Sequence, residues 1–369
     1  MKTVCELNKC AGCMACIDIC PKGAIAIEDN LFAYNAVIDE EKCVDCNACH
    51  KVCQNNYPAK LISPIMWYQG WSEEPAIRKN CSSGGIATAV SKAFIEAGGV
   101  VCSCTFHNGK FIFEFAEKIE ELKRFAGSKY VKSDPAGVYK SIKEYLKKRR
   151  EVLFIGLPCQ VSALKRYVGE QEDRLFTVDL ICHGTPSPKL LEIFLNQYGS
   201  SLEKLQDIQF RVKAKFMIYG DYKGVITNGV SDRYSIAFLN SLTYTENCYG
   251  CLYARKERVS DLTLGDSWGS ELPADEQKKG VSLMLCQTEK GCRVLKIAGI
   301  HLEGVDIEKA IANNHQLSHP STRPKRRSDF FKGLKKHKFN SLVFWQFPKQ
   351  CIRQDVKQAL IRAKVIRGV

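Results

Sequence analysis

The sequence lacks the features that would send a chain out of the cell or through a bilayer. Its first residues, Met1-Lys2-Thr3-Val4-Cys5, form no apolar run of the signal-peptide kind. No segment approaches the roughly 18 consecutive apolar residues of a membrane span. No Gly-x-Gly-x-x-Gly fingerprint follows a strand-like run, so a nicotinamide Rossmann site is not indicated. No nucleic-acid module accompanies the basic charge, and nucleic acid is not an expected partner. The expectation is a cytoplasmic chain of 369 residues, long enough for two or three domains, with an ordinary 45% apolar content. In a reducing cytosol, nineteen cysteines are kept as thiols for metals and not spent on disulfides.

What is present is a pair of cysteine runs with one spacing, C-x2-C-x2-C-x3-C. Cys10, Cys13, Cys16 and Cys20 precede Pro21; Cys43, Cys46, Cys49 and Cys53 follow 33 residues later, with Gln54 in the proline's place. Two full runs match the bacterial arrangement that holds two 4Fe-4S clusters, in which the fourth cysteine of each run ligates the other cluster. The expected sets are therefore Cys10, Cys13, Cys16 and Cys53 around one cluster, and Cys20, Cys43, Cys46 and Cys49 around its partner. Short strands over Ala24–Glu28 and Tyr34–Ile38, joined through Glu28-Asp29-Asn30, fit an internal duplication. Zinc knuckles or a disulfide framework are the alternatives, although zinc sites usually pair cysteines two by two.

The expected organisation is an α+β ferredoxin-like dicluster domain over 1–60, a linker over 61–79, an α/β catalytic domain over 80–310 and a basic helical tail over 311–369. In the second domain, strand-like runs at 100–106, 152–156 and 175–181 alternate with helical stretches at 86–96, 139–150 and 161–167, and a further helix begins near Pro188. Continuous apolar strands alternating with helices predict a mainly parallel sheet. Ligand sites in such sheets form at the carboxyl ends of strands, where Cys159 and Cys182 fall. Cys248 and Cys251 complete a candidate third set of four. Taken separately, Cys159 and Cys182 read as buried structural cysteines, and Cys248 with Cys251 as a zinc half-site.

Several stretches, in order, resemble the family of beta subunits of coenzyme F-420 hydrogenases and dehydrogenases, which includes the plant hydroxymethyl-chlorophyll reductases. They are Ser83-Gly84-Gly85-Ile86-Ala87-Thr88, Ala126-Gly127-Ser128-Lys129-Tyr130, Leu157-Pro158-Cys159-Gln160, Ile181-Cys182-His183-Gly184, Cys248-Tyr249-Gly250-Cys251 and Ser260-Asp261-Leu262-Thr263-Leu264-Gly265-Asp266. The resemblance implies a flavoprotein holding FAD and a third 4Fe-4S cluster, ligated by Cys159, Cys182, Cys248 and Cys251. It also implies a flavin pyrophosphate at Ser82-Ser83-Gly84-Gly85, where a glycine turn and a helix start expose backbone N–H groups. Lys129 and Tyr130 become flavin-site or substrate-site residues with a catalytic role. Cys81 and Cys182-His183-Gly184-Thr185-Pro186 depart from other branches, so the substrate pocket need not be a deazaflavin one.

Function follows as an expectation: electrons pass between ferredoxin-type clusters, FAD and an organic hydride acceptor or donor, with a redox partner protein or ferredoxin at the other end. The alternative is a non-catalytic electron-transfer subunit of a larger redox complex. A third reading is a redox-sensing module that docks through its tail. From Arg323 onward, fourteen lysines and arginines face two acids, Asp329 and Asp355, so most of the net charge of +14 lies there. Phe330, Phe331, Phe339, Phe344, Trp345 and Phe347 are interleaved with it. The tail reads either as a segment touching an anionic membrane face or an acidic partner, or as a terminal helical segment packed on the body with a solvated basic face.

Overall fold

The computed structural model describes residues 1–169, 172–220 and 230–366. Thirteen strands among these residues are numbered in chain order. The N-terminal part holds β1 (Lys2–Thr3), β2 (Ile25–Asp29) and β3 (Tyr34–Ile38), an antiparallel sheet of order β1-β3-β2. Two five-residue helices, Ala15–Ile19 and Ala48–Val52, pack on it. The duplication in sequence is also one in backbone. Met14 and Asn47, 33 positions apart, both precede their helices in the left-handed region, at φ 60° and 62°. Gly12 and Asp45 share that offset and that region. A non-glycine residue held there marks a conformation the surroundings enforce.

The body is built on β4 (Met66–Ser72), β5 (Val100–His107), β6 (Lys110–Ala116), β7 (Val152–Gly156), β8 (Leu175–Leu180), the separate hairpin β9 (Ile208–Val212) and β10 (Lys215–Gly220), and then β11 (Leu262–Asp266), β12 (Ser282–Cys286) and β13 (Ile300–Glu303). Eight of these form one sheet of order β13-β4-β12-β11-β8-β7-β5-β6. Only the centre, β11-β8-β7-β5, is parallel. Antiparallel pairs flank it on both sides, so the sheet is mixed rather than mainly parallel. The sequence logic holds for the centre: β7 is Val-Leu-Phe-Ile-Gly, buried at every position, as a strand covered on both faces must be.

One expectation changes. The stretch 61–79, read as a linker, contains β4, which sits between β12 and β13 inside the sheet, and the helix Pro75–Asn80. The aromatic residues of Met-Trp-Tyr-Gln-Gly-Trp-Ser are strand residues and not spacer. The tail, in turn, is neither free nor wholly packed. Its helices Arg327–Gly333, Phe339–Gln346 and Pro348–Arg362 bury Phe330, Phe339, Leu342, Val343 and Cys351 against Leu190, Phe194 and Tyr234 of the body. Arg327, fully buried, donates to Glu246 Oε2 (2.9 Å) and to the Phe32 and Tyr244 carbonyls, clasping the N-terminal part to the body. Trp345, Ile352, Val356 and Leu360 stay exposed. No helix among the described residues is long and apolar enough to cross a membrane.

Nor is the N-terminal domain a separate bead. Its residues Val4, Met14, Ala15, Val52 and Ala59 share one core with Tyr139, Phe154, Val161 and Tyr253 of the body. Asp18 accepts from the backbone of Gly137 (2.6 Å) and Tyr139 (3.1 Å), capping the helix Val138–Lys147 across the boundary. The Tyr253 hydroxyl donates to Gln54 Oε1, which gives that buried glutamine its partner where the first run has Pro21.

Candidate cluster sites and cofactor cavity

Each of the twelve candidate cysteines stands in one of three groups. Cys10, Cys13, Cys16 and Cys53 lie within electrostatic reach of one another, all buried at the domain boundary. Burial pushes the Cys13 and Cys16 thiols up, and their neighbours add to it. Cys53 goes the other way, lowered chiefly by its thiol neighbour Cys5. Cys5 lies within reach of Cys10 as well, a neighbour that the run spacing gave no reason to expect. The second group is Cys20, Cys43, Cys46 and Cys49, which enclose a small space with Pro21, Val44 and Ile38. The ligand exchange between the runs thus has its geometric counterpart: Cys53 stands with the first three cysteines of the first run, and Cys20 with those of the second.

Backbone amides point at these sulfurs in matching places. Gly12 N donates to Cys10 Sγ and Asp45 N to Cys43 Sγ, both at 3.4 Å, and Ala24 N to Cys20 Sγ at the same distance. Such bonds stabilise thiolates and tune bound clusters. Among the described residues no three His, Cys, Asp or Glu side chains converge on a single ion. The small space among Cys20, Cys43, Cys46 and Cys49 suits a cubane, whose corners each take one ligand. A single zinc would draw all its sulfurs to about 2.3 Å.

The third group forms where the sheet predicts. Cys159 opens the helix Pro158–Val168 after β7, Cys182 leaves β8, and Cys248 and Cys251 come from the turn Glu246–Gly250 and its exit. Their thiols interact mutually. Burial drives Cys159 up to about 12 and raises Cys182 and Cys251. Thr185 N donates to Cys248 Sγ at 3.4 Å. Beneath them the buried pair Arg258–Asp179 (2.9 Å) anchors the loop, with Arg258 also donating to the Leu180 and Tyr253 carbonyls. Buried thiols held together against their own charge suit a cationic iron core, which binds them deprotonated.

Cys182 also lines a cavity of about 460 Å³, of ordinary size for a cofactor site, beside Ser82, Ser83, Gly85, Lys129 and Tyr130. Gly84 does not line it. A Cβ there would lie 2.5 Å from the Gly70 carbonyl, and its N–H is taken by Ser282 Oγ (3.0 Å), so its part is to let the turn sit against β4 and β12. Gly85, at φ +87°, then turns the chain into the helix Ile86–Glu96, whose N-terminus no side chain among the described residues caps, which leaves it able to face an anion. Ser83 Oγ is spent on the Val281 carbonyl and Ser82 Oγ on Ser128 N. These residues fit a flavin with its pyrophosphate at the helix start. Lys129 donates to the Phe125 (2.9 Å) and Ala126 (3.0 Å) carbonyls, and burial lowers its pKa. Tyr130 stacks on Phe238 at 4.5 Å between centroids, and burial raises its pKa.

Arg211 escaped the sequence, while His183 and Asp266 stood there only inside motifs. Arg211, from the β9–β10 hairpin, makes a bidentate pair with Asp266 (2.5 and 2.8 Å) under Trp268. His183, pushed down to about 4 by burial, meets Gln316 (2.7 Å). Asp266 closes the Ser260–Asp266 motif, but nothing in the sequence paired it with Arg211. In that motif Asp261 is structural: it accepts from Thr177 N, Thr177 Oγ1 and Thr288 Oγ1 at 2.7–2.8 Å.

Comparison with known proteins bears on the family and on the N-terminal dicluster domain. Models for the N-term and the C terminus of the coenzyme F420 hydrogenase/dehydrogenase beta-subunit match residues 67–139 and 149–309, and a 4Fe-4S dicluster domain model matches 9–57. An F(420)H(2) dehydrogenase component of Methanosarcina mazei is 23% identical over 58% of this chain and 65% of its own length. The beta chain of F420-dependent formate dehydrogenase 1 of Methanococcus maripaludis is 26% identical over 63% and 58%. The chain thus spans somewhat under two thirds of these relatives. A chain of the F420-reducing [NiFe] hydrogenase complex of Methanosarcina barkeri matches 69% of this chain and 91% of its own length at 20% identity, with a TM-score of 0.49. With both family models in register on one sheet and a dicluster domain ahead of them, the chain belongs to the family of coenzyme F420 hydrogenase/dehydrogenase beta subunits.

Proposed function

We propose that this chain is an iron-sulfur flavoprotein oxidoreductase that passes electrons between an external redox partner and an organic hydride acceptor or donor. The observation that carries it is Cys182, which belongs at once to the third group of thiols and to the wall of the cavity. When bound, the clusters supply one-electron steps and FAD couples two of them to one hydride transfer. The chain's own residues do the rest. The helix start after Gly85 receives the pyrophosphate, and Tyr130, Phe216 and Phe238, stacked on one another, give the cavity a rigid aromatic side against which a ring is held. Lys129 faces the cavity as a hydrogen-bond donor, while Arg211 and Asp266 line the substrate side. At the other end, Cys46 and Val44 are exposed, which suits electron entry from a partner protein or ferredoxin.

Iron and flavin content of anaerobically purified protein tests this. Three cubanes give about twelve irons, beside about one FAD. About eight irons and no flavin would leave the alternative, a non-catalytic electron-transfer subunit of a larger complex.

The tail supports a contact of its own. On the helix Pro348–Arg362, Ile352, Val356 and Leu360 follow at four-residue steps, exposed beside Lys349, Arg353 and Arg362, with Trp345 nearby. That pattern suits an anionic membrane face or an acidic partner. Co-sedimentation with anionic vesicles, lost in Ile352→Ser/Val356→Ser protein, would support the membrane form; no sedimentation would favour the protein partner.

A further inference from the structure

Lys132 occupies an unusual place. Its backbone belongs to the body, where its N–H donates to the Pro186 carbonyl at 2.9 Å. Its side chain crosses into the N-terminal domain and is only 5% exposed. The methylenes lie so close over Gly12 that a Cβ there would be 2.9 Å from Lys132 Cδ. The ammonium sits 5.1 Å from the Tyr34 ring centroid and donates to the Ala11 carbonyl at 2.9 Å, in the loop between Cys10 and Cys13. Among the described residues no carboxylate pairs with it. A buried ammonium held by one carbonyl and one ring face is expensive, and buried charges are normally matched by an opposite one.

The groups within its field are thiols of two different sets. Ala11 and Gly12, which its ammonium and methylenes touch, stand between Cys10 and Cys13. On its other side Ser133 Oγ accepts from Nε2 of Gln160, the neighbour of Cys159, at 3.1 Å, and Pro186, whose carbonyl takes the Lys132 N–H, follows Thr185, whose N–H donates to Cys248 Sγ at 3.4 Å. Tyr139 and Tyr253 also lie within reach of both Cys13 and Cys159, so the two sites are neighbours across the domain boundary. A 4Fe-4S core on four thiolates is anionic and gains one further negative charge when it accepts one electron, with no bond made or broken. A fixed cation beside it therefore favours the reduced form.

We propose that Lys132 is a counter-charge shared by the Cys10–Cys13–Cys16–Cys53 site and the Cys159–Cys182–Cys248–Cys251 site, raising the reduction potential of both clusters and drawing electrons inward from the exposed Cys20–Cys43–Cys46–Cys49 site. Lys132 is then a tuning residue and touches no substrate. The inference rests on the proposed cluster assignment.

The test is a mediated redox titration followed by electron paramagnetic resonance, on full-length anaerobic protein: wild type, Lys132→Gln and Lys132→Arg. A Cys46→Ala variant identifies the wave of the exposed site. In the Gln variant, iron content stays at the wild-type level. The two inner waves move down by about a tenfold change in reduced-to-oxidised ratio at fixed potential, some 59 mV for a one-electron couple, while the exposed-site wave holds. The Arg variant keeps the wild-type waves. Unmoved inner waves in the Gln variant, or an equal shift of all three, would overturn the proposal. If that variant loses iron at the first-run site, the Cys159-site wave remains readable, and its staying in place overturns the proposal equally. Wild-type protein with about eight irons would remove the third site and the proposal together, a failure of the cluster assignment visible before any variant is made.

Discussion

The two cysteine runs share a spacing and a backbone, yet they end in different surroundings. The group containing Cys13 is sealed in the core between the domains, with Cys13 at 7% exposure, whereas in the group containing Cys20 the Cys46 side chain is exposed. A duplicated local motif thus yields one inner and one outer site, because the body covers only one face of the N-terminal domain. Tyr139, Tyr253 and Lys132 all approach from that side. Exposure and hydrogen bonding set cluster potentials, so clusters held at the two sites, as proposed, would differ in potential in a way that the repeat alone does not contain.

The sharpest way to break the comparison is to remove one cysteine from each site. Cys13→Ala should cost about four irons and also leave a defect in the shared core of about 2 kcal/mol or more, seen as a clear fall in the thermal midpoint. Cys46→Ala should cost the same iron with little further loss of stability. Equal destabilisation by both would refute the inner–outer distinction.

Timed iron removal separates the sites without mutation. Under brief air exposure with a chelator, release should be biphasic, the outer site emptying first, and the fast phase should vanish in Cys46→Ala. A single phase in the wild type would count against it.

Asp18→Ala addresses the boundary itself. It strips two backbone N–H groups of the helix Val138–Lys147 of their acceptor, for an expected loss of about 1–2 kcal/mol by denaturant titration. Iron in the outer site should be unaffected.

The smallest effect is expected from Val44→Ser, on the exposed rim beside Cys43. Stability should change by less than about 0.5 kcal/mol, while electron acceptance from a protein donor slows and that from a small dye does not. Unchanged rates with both donors would remove this face as the docking surface.

The sequence was most legible where chemistry is local. Cluster loops close over a few residues, so spacing alone grouped Cys10, Cys13 and Cys16, and the duplication carried the exchange of Cys20 and Cys53. Central strands were legible for the same kind of reason: Val152–Gly156 is apolar throughout because both its faces are covered. Less was visible at the sheet's margins. Met66–Ser72 mixes aromatic with small or polar residues without a period and joins partners more than 200 positions away, which no local pattern announces.

By itself, then, the sequence determined two four-cysteine loops, a central parallel βα pattern and a basic tail rich in aromatics, because each depends on contacts or periodicities a few residues long. Tertiary structure alone decided which run faces inward, that β4 lies inside the sheet, that Arg211 meets Asp266, that Arg327 clasps the domains and that Lys132 stands between two thiol sets. Those pairings join segments distant in the chain, and sheet order and domain docking set them. Burial then fixes their energetic weight, since a charge that is cheap in water must find its counter-charge once the two domains close around it.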